Sequence, residues 1–113
     1  MTAPTYANDP NGILGTDILF EISDSGVATL TLNRPDAANA ITPDQRNLTI
    51  SLMEGASNDL NIRCVVITAA GERHFCTGAD VGSIRGAQSA EPIVGDGMRR
   101  IQGGAQRLIA AVL

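Results

Sequence analysis

Apolar and polar residues alternate along two short stretches of the chain, on either side of a glycine-containing turn. Residues 18–23 read ILFEIS and residues 27–33 read VATLTLN, with Asp24, Ser25 and Gly26 between them. A period of two residues puts every second side chain on the same face of a β-strand. The sequence therefore predicts a β-hairpin whose inner face carries Ile18, Phe20, Ile22, Ala28, Leu30 and Leu32.

A helical period follows the hairpin. Thr42 can cap a helix, Pro43 suits the first helical position, and Gln45 completes a capping box. We expect this helix to end near residues 55–58. Its apolar stripe is formed by Leu48, Leu52, Met53, Ala56 and Leu60.

The next apolar run, CVVIT at residues 64–68, is too short for a helix and predicts a strand covered on both faces. The order β-β-α-β favours a right-handed crossover and an α/β layer arrangement. Residues 1–16 are polar and contain Pro4, Pro10, Gly12 and Gly15, which predicts a flexible lead-in. The domain would then occupy residues 17–113.

Composition excludes several classes of function. A chain of 113 residues holds at most one domain. The net charge is −4 and the eight basic residues, all arginine, form no cluster, so we expect no nucleic-acid partner. No apolar run approaches the ~20 residues that span a bilayer, and the N-terminus has no signal-peptide pattern. We therefore expect a cytoplasmic protein without a membrane partner.

The two cysteines, Cys64 and Cys76, lack the spacing of metal ligands, so no metal site is predicted. They are interpreted as reduced thiols that act as small apolar side chains. An alternative is that Cys76 is a nucleophile with His74 as its base, but neighbours in an extended segment face opposite ways.

The segment Thr77-Gly78-Ala79-Asp80 leaves the predicted strand and precedes a helix-like stretch. A glycine-containing turn that feeds a helix leaves backbone N–H groups unpaired, and small side chains let a ligand approach them. Such a turn suits an anion, or an oxygen that becomes negative during a reaction. The alternative is a plain connection in which Asp80 caps a short helical turn over residues 81–85.

Residues 86–97 predict a loop and residues 96–113 a helix with an apolar stripe that runs to Leu113. This stripe has little to cover it in so short a chain. We expect it to pack on further segments or on another subunit.

Two separated motifs, NRPDAANAIT (residues 33–42) and VVITAAGERHFCTGADV (residues 65–81), resemble the enoyl-CoA hydratase/isomerase family, the crotonase superfamily. The resemblance covers residues 20–113. It implies the N-terminal half of an α/β crotonase-like fold with ββα-type layers, incomplete at the C-terminus. It also implies a homotrimer or hexamer and a role in fatty acid metabolism.

The resemblance implies a site for an acyl-CoA thioester, with coenzyme A carried by the substrate and no covalently bound cofactor. The backbone N–H of Ala79 would be the first donor of an oxyanion hole. Asp80 would cap the following turn and fix Ala79 in place. Contacts to the acyl chain or to coenzyme A are implied for Ala38, Ala40, Arg73, Asp80, Val81 and Gly82.

This sequence departs from the family pattern in two ways. Some hydratases carry Lys where Asp36 and Gly82 stand here, and Arg73, Arg34 or Arg85 could replace part of that charge, although Arg34 is better interpreted as an ordinary solvated or salt-bridged side chain. The second oxyanion donor and the two hydratase glutamates lie further along the family sequence than residue 113. The resemblance therefore leaves three readings. In the first, the chain is the N-terminal portion of a hydratase that adds water to a 2-trans-enoyl-CoA. In the second, it is a non-catalytic paralogue that binds acyl-CoA. In the third, it belongs to an enzyme of another crotonase-type reaction, such as isomerisation or thioester hydrolysis.

Overall fold

The computed structural model describes residues 4–80. Its elements are strand β1 (Ile18–Ile22), strand β2 (Val27–Leu32), a short 3-10 turn (Pro35–Ala37), helix α1 (Pro43–Ser57) and strand β3 (Cys64–Ala69). The predicted order β-β-α-β is confirmed. The helix-like segments expected beyond Asp80 lie outside the described residues.

The three strands form one sheet in the order β1-β2-β3. β1 and β2 are the antiparallel hairpin that the alternation predicted, with Phe20 opposite Leu30. β2 and β3 run parallel, with Leu32 opposite Ala69. Parallel neighbours cannot be joined by a tight turn, and α1 lies in the connection between them.

One face of the sheet packs with α1 in a single apolar core. Its members lie at every second position of the strands and at helical spacing in α1: Ile18, Phe20, Ala28, Leu30, Leu32, Leu48, Leu52 and Met53, each at most 6% exposed. Val65, Ile67 and Ala69 of β3 pack against its rim. Burial of this face stabilises the fold by roughly 1.5–3 kcal/mol for each large aliphatic side chain.

The start of α1 has the predicted capping box. The Thr42 hydroxyl accepts a hydrogen bond from Gln45 N at 3.2 Å, and Gln45 Oε1 accepts one from Thr42 N at 3.0 Å. Gln45 is 1% exposed and also donates from Nε2 to Asp17 O at 3.0 Å. Its amide therefore attaches the start of the helix to the start of the hairpin.

Three expectations about burial differ from what residues 4–80 show. Leu60 does not extend the stripe of α1, because the helix ends at Ser57 and Leu60 is 99% exposed. β3 is not covered on both faces within the described residues, since Cys64, Val66 and Thr68 are exposed on the face opposite α1. Ile22 is 42% exposed because it ends β1 beyond the edge of the core.

Residues 4–16 contact the core, although composition predicted a flexible lead-in. The Asp9 carboxylate accepts hydrogen bonds from Ile13 N and Leu14 N, and Leu14 forms a bridge with Ile18. Tyr6 lies against Gly55 of α1. The boundary at residue 16 stays a prediction.

Within residues 4–80, no helix is both long and apolar enough to cross a membrane.

Gly55→Ala tests the contact with Tyr6. In a helix interior alanine is favoured over glycine by about 1 kcal/mol. Here a Cβ at residue 55 would overlap the Tyr6 ring, so we expect G55A to lower the free energy of unfolding. In a Tyr6→Ala background the same change should be stabilising, and urea denaturation of the four proteins measures both steps. Equal effects in the two backgrounds would contradict the contact.

Tyr6→Phe tests the buried phenol oxygen. This oxygen has no hydrogen-bond partner among residues 4–80, so its removal should raise the free energy of unfolding by about 1 kcal/mol. Burial, and secondly the charge of Asp59, raise the pKa of Tyr6 above its usual 10.0.

The sign of the pH effect follows from that shift. The folded state keeps the Tyr6 proton where the unfolded chain loses it, so the contribution of Tyr6 to stability is constant well below pH 10 and falls as the pH rises towards the folded pKa. The chain has one tyrosine and no lysine, so Y6F should lose most of this alkaline decline. An unchanged decline in Y6F would contradict the assignment.

Candidate functional site

Two loops leave the sheet side by side and meet beyond its edge. Residues 33–41 follow β2, and residues 70–80 follow β3. The two strands are parallel neighbours and end in register, with a hydrogen bond from Ala70 N to Leu32 O at 2.8 Å. Loops at the carboxyl ends of parallel strands share one edge of the sheet, where ligand sites are common.

Ile41 joins the two loops through its main chain. Its N–H donates to Gly78 O at 2.8 Å, and its carbonyl accepts from Asp80 N at 2.9 Å. Together these bonds form an isolated parallel bridge between Ile41 and Ala79. Both neighbours of Ala79 are therefore held by the same residue.

The bridge fixes the direction of the Ala79 N–H. The peptide between Gly78 and Ala79 is planar and trans, so its N–H points opposite to its carbonyl. Because Gly78 O points at Ile41, the Ala79 N–H points away from it. Ala79 is exposed, and within residues 4–80 its N–H has no hydrogen-bond acceptor. The result is a rigidly held donor on the outer side of the loop.

Gly78 makes this geometry accessible. Its φ is +114°, and a Cβ at this position would meet nothing within 4 Å. The need for glycine at residue 78 therefore comes from its backbone conformation and not from a lack of space, because residues with a side chain rarely adopt such a φ.

Arg34 and Asp80 form an ion pair across the two loops. Arg34 Nη1 donates to Asp80 Oδ2 at 2.9 Å and to Ala40 O at 2.8 Å. The two side chains are 23% and 22% exposed. Arg34 is thus salt-bridged, as the sequence interpretation preferred. The predicted capping role of Asp80 towards residues 81–85 lies outside the described residues.

Asn39 is a component of the site to which sequence reasoning gave no role, although it belongs to the first motif. It is 1% exposed and has a φ of 55°. Its Oδ1 accepts from Arg34 N, and its Nδ2 donates to Ala70 O and to His74 O, each at 2.9 Å. The signal that could have indicated it is an Asn within a turn, since Asn tolerates the left-handed region better than most residues.

The structure places Ala38 and Ala40 in the first loop, where their N–H groups donate to Pro35 O and Ala37 O. Their carbonyls accept from Thr77 Oγ1 at 3.2 Å and from Arg34. Each carbonyl retains a second lone pair. A ligand at these residues would therefore be bound through the carbonyl oxygens.

The other predicted site residues are less closely joined to this arrangement. Arg73 is exposed in the second loop, and within residues 4–80 its side chain forms no ion pair. Val81 and Gly82 lie outside the described residues.

The two cysteines, Cys64 and Cys76, are free thiols, and Cys76 Sγ lies 4.0 Å from Gly78 O. In the described part of the chain, no three His, Cys, Asp or Glu side chains form a group that could hold a metal ion.

A pocket of about 450 Å³ lies elsewhere, between the N-terminal segment and α1. Its lining includes the carboxylates Asp9, Asp44 and Glu54 and no residue of either loop. Carboxylates repel phosphates and other anions. This pocket is therefore a poor candidate for the ligand that the Ala79 N–H would receive.

The chain matches the protein-family model for enoyl-CoA hydratase/isomerase over residues 22–113. The chain is 46% identical over 69 residues to the Bacillus subtilis protein YngF, which is named for the same activities. The aligned segment covers 60% of this chain and 26% of YngF. It is 39% identical over 64 residues to an (E)-benzylidenesuccinyl-CoA hydratase of Thauera aromatica, over 57% of this chain and 25% of the relative.

Solved structures show the same fold. An enoyl-CoA hydratase of Mycobacterium smegmatis superposes with a TM-score of 0.70 at 28% sequence identity, over 84% of this chain and 35% of that one. The described fragment therefore has part of a crotonase-type α/β fold, as the two motifs predicted. The chain spans about a quarter of the length of the curated relatives that it matches.

The Arg34–Asp80 pair can be tested by a double-mutant cycle with Arg34→Met and Asp80→Asn. Asp80 makes a further interaction besides this pair, so the single variants overstate its strength and the cycle isolates it. We expect a coupling of about 1 kcal/mol, within the range for residues in contact, that decreases little between low and high salt because the pair is partly buried. A coupling near zero in chemical denaturation would show that the pair adds nothing to stability.

Proposed function

Because the chain belongs to the enoyl-CoA hydratase/isomerase family, we propose that the Ala79 N–H is an oxyanion-hole donor for the thioester carbonyl of an acyl-CoA. The whole protein would then add water to a 2-trans-enoyl-CoA. One observation carries this proposal: an exposed N–H with no acceptor among residues 4–80, held from both sides by Ile41.

The chemistry explains why such a donor is useful. When a water oxygen adds to carbon 3 of an enoyl thioester, the double-bond electrons move towards the carbonyl, and its oxygen gains negative charge. A donor fixed before the reaction stabilises that charge without having to reorganise. A flexible N–H would need to be ordered during the reaction, at a cost in conformational entropy.

The neighbouring residues suit the rest of an acyl-CoA. The carbonyls of Ala38 and Ala40 can accept hydrogen bonds from amide or amino groups of the cofactor portion. We propose Arg73, an exposed cation on the loop that carries Ala79, as a contact for a coenzyme A phosphate. Asp36 would repel such a phosphate, so the phosphate should lie away from the 3-10 turn. Val81 and Gly82 remain proposed as lining for the acyl channel.

The acid and base of hydration are not assigned to glutamates of this chain. Glu54 borders the pocket at α1 and Glu72 is exposed on the turn after β3, whereas the family resemblance implies hydratase glutamates further along the sequence than either. We propose that the acid-base pair and the second donor are supplied by sequence beyond the 113 residues. A homotrimer or hexamer is proposed for the assembled protein, and sedimentation velocity tests it.

A second candidate is acyl-CoA binding without turnover. The observation that favours it is that the carboxylate next to Ala79, that of Asp80, is paired with Arg34 and is poorly placed to move a proton. Calorimetry with saturated and unsaturated acyl-CoA thioesters, alongside a hydration assay, separates the two candidates. Binding without hydration supports the second, and hydration supports the first. Mass spectrometry of the products identifies the reaction, because hydration adds the elements of water, isomerisation leaves the mass unchanged and thioester hydrolysis releases free coenzyme A.

Substitution of Ala79 tests the donor itself. In the whole protein, Ala79→Pro removes the N–H and should lower kcat by about 10²–10³-fold, the effect of losing one oxyanion donor. Ala79→Gly keeps the N–H and should have a mild effect. Thermal unfolding of both variants checks that the loop still folds. If the two variants show the same kcat, donation from Ala79 is not a source of the activity.

A further inference from the structure

Asn39 uses its side chain to hold the second loop against the first. It is a buried amide, 1% exposed, with both Nδ2 hydrogens directed at carbonyls of the second loop, Ala70 O and His74 O. Its Oδ1 accepts from Arg34 N in the first loop. An amide has two donor hydrogens, so both are used, and this orientation of the amide follows from its partners.

The position of Asn39 connects these bonds to the proposed donor. The two carbonyls that it binds lie on either side of the turn at Gly71, near the start of the second loop, which also carries Ala79. Two residues after Asn39 along the chain, Ile41 binds Gly78 O and Asp80 N. The second loop is therefore held at its start by the Asn39 amide and at its end by the Ile41 main chain. Only one residue, Ala40, separates Asn39 from Ile41 in the first loop.

We propose that Asn39 is a positioning residue for the oxyanion donor, which it keeps in register with the thioester carbonyl by closing the loop between β3 and Ala79. The inference rests on the proposed function of Ala79. It requires asparagine in particular. A carboxylate of the same shape would face two carbonyl oxygens and could donate to neither, and a larger side chain would not fit so fully buried a position.

The expected consequence is a loss of rate and not of binding. The N–H matters most when charge develops on the thioester oxygen, so its misplacement should lower kcat and leave KM nearly unchanged. A displacement of about 1 Å in such an arrangement can cost about 10²-fold in rate.

The variants Asn39→Asp and Asn39→Gly, made in the whole protein that includes the sequence beyond residue 113, provide the test. A saturated acyl-CoA labelled with ¹³C at the thioester carbonyl binds without reacting, and infrared difference spectroscopy reports how strongly the carbonyl is polarised. The wild type should shift the C=O stretch to lower wavenumber. Both variants should reduce that shift and lower kcat by about 10²-fold.

The pH dependence distinguishes positioning from general destabilisation. In N39D the introduced carboxyl is buried opposite two carbonyls, which raises its pKa. Below that pKa the neutral acid can donate one hydrogen bond to Ala70 O or His74 O, so activity relative to the wild type at the same pH should recover. N39G has no such group and should not recover. The Arg34–Asp80 pair and the His74 imidazole are present in all three proteins, so any effect of their own on activity is common to the three.

Met53→Ala is the stability control, because Met53 is 6% exposed in the core at α1 and lies in neither loop. It should lower the melting temperature and keep the wild-type carbonyl shift. If N39D and N39G also keep the wild-type shift and kcat, Asn39 is only structural and the proposal is wrong. If the wild type itself shows no shift on binding, the proposed function of Ala79 fails, which is a separate outcome. Should N39G not fold, the pH profile of N39D decides alone.

Discussion

The hydrogen bond from Ile41 N to Gly78 O, 2.8 Å long, is the interaction on which the candidate site depends. It orients one peptide plane, and the planarity of that peptide then directs the Ala79 N–H to the opposite side. No side chain of Ala79 takes part. The chemical property of the site therefore comes from the backbone, and side chains contribute by holding that backbone still.

The fold supplies the two segments that this bond joins. β2 and β3 are parallel and end level with each other at Leu32 and Ala69, so the following loops begin a strand spacing apart. The first loop is held at its far end by the capping box of α1 at Thr42, directly after Ile41. The apolar core under β2 and α1 thus fixes both ends of the loop that positions Ala79. Arg34 and Asn39 then attach the second loop to it.

Part of this arrangement was predictable from local sequence. The hairpin followed from alternation around Gly26, and α1 followed from Thr42, Pro43 and Gln45, because these signals act within a few residues. The burial of β3 and of Leu60 was not predictable. The apolar run at residues 64–68 is compatible with a strand covered on one face or on both, and only neighbouring elements decide which. Leu60 continues the helical spacing, but the helix has already ended.

The element order, the helix start, the glycine-containing turn before Ala79 and, through two motifs, the family all follow from the residues and their spacing. Those properties depend on local conformational preference or on residue identity at fixed spacing. Three contacts become visible only in the folded chain: Asn39 holds the turn after β3, Arg34 pairs with Asp80, and Ile41 orients the peptide before Ala79. These contacts join residues 35 to 46 positions apart, and they exist because a parallel crossover returns the chain to the same edge of the sheet.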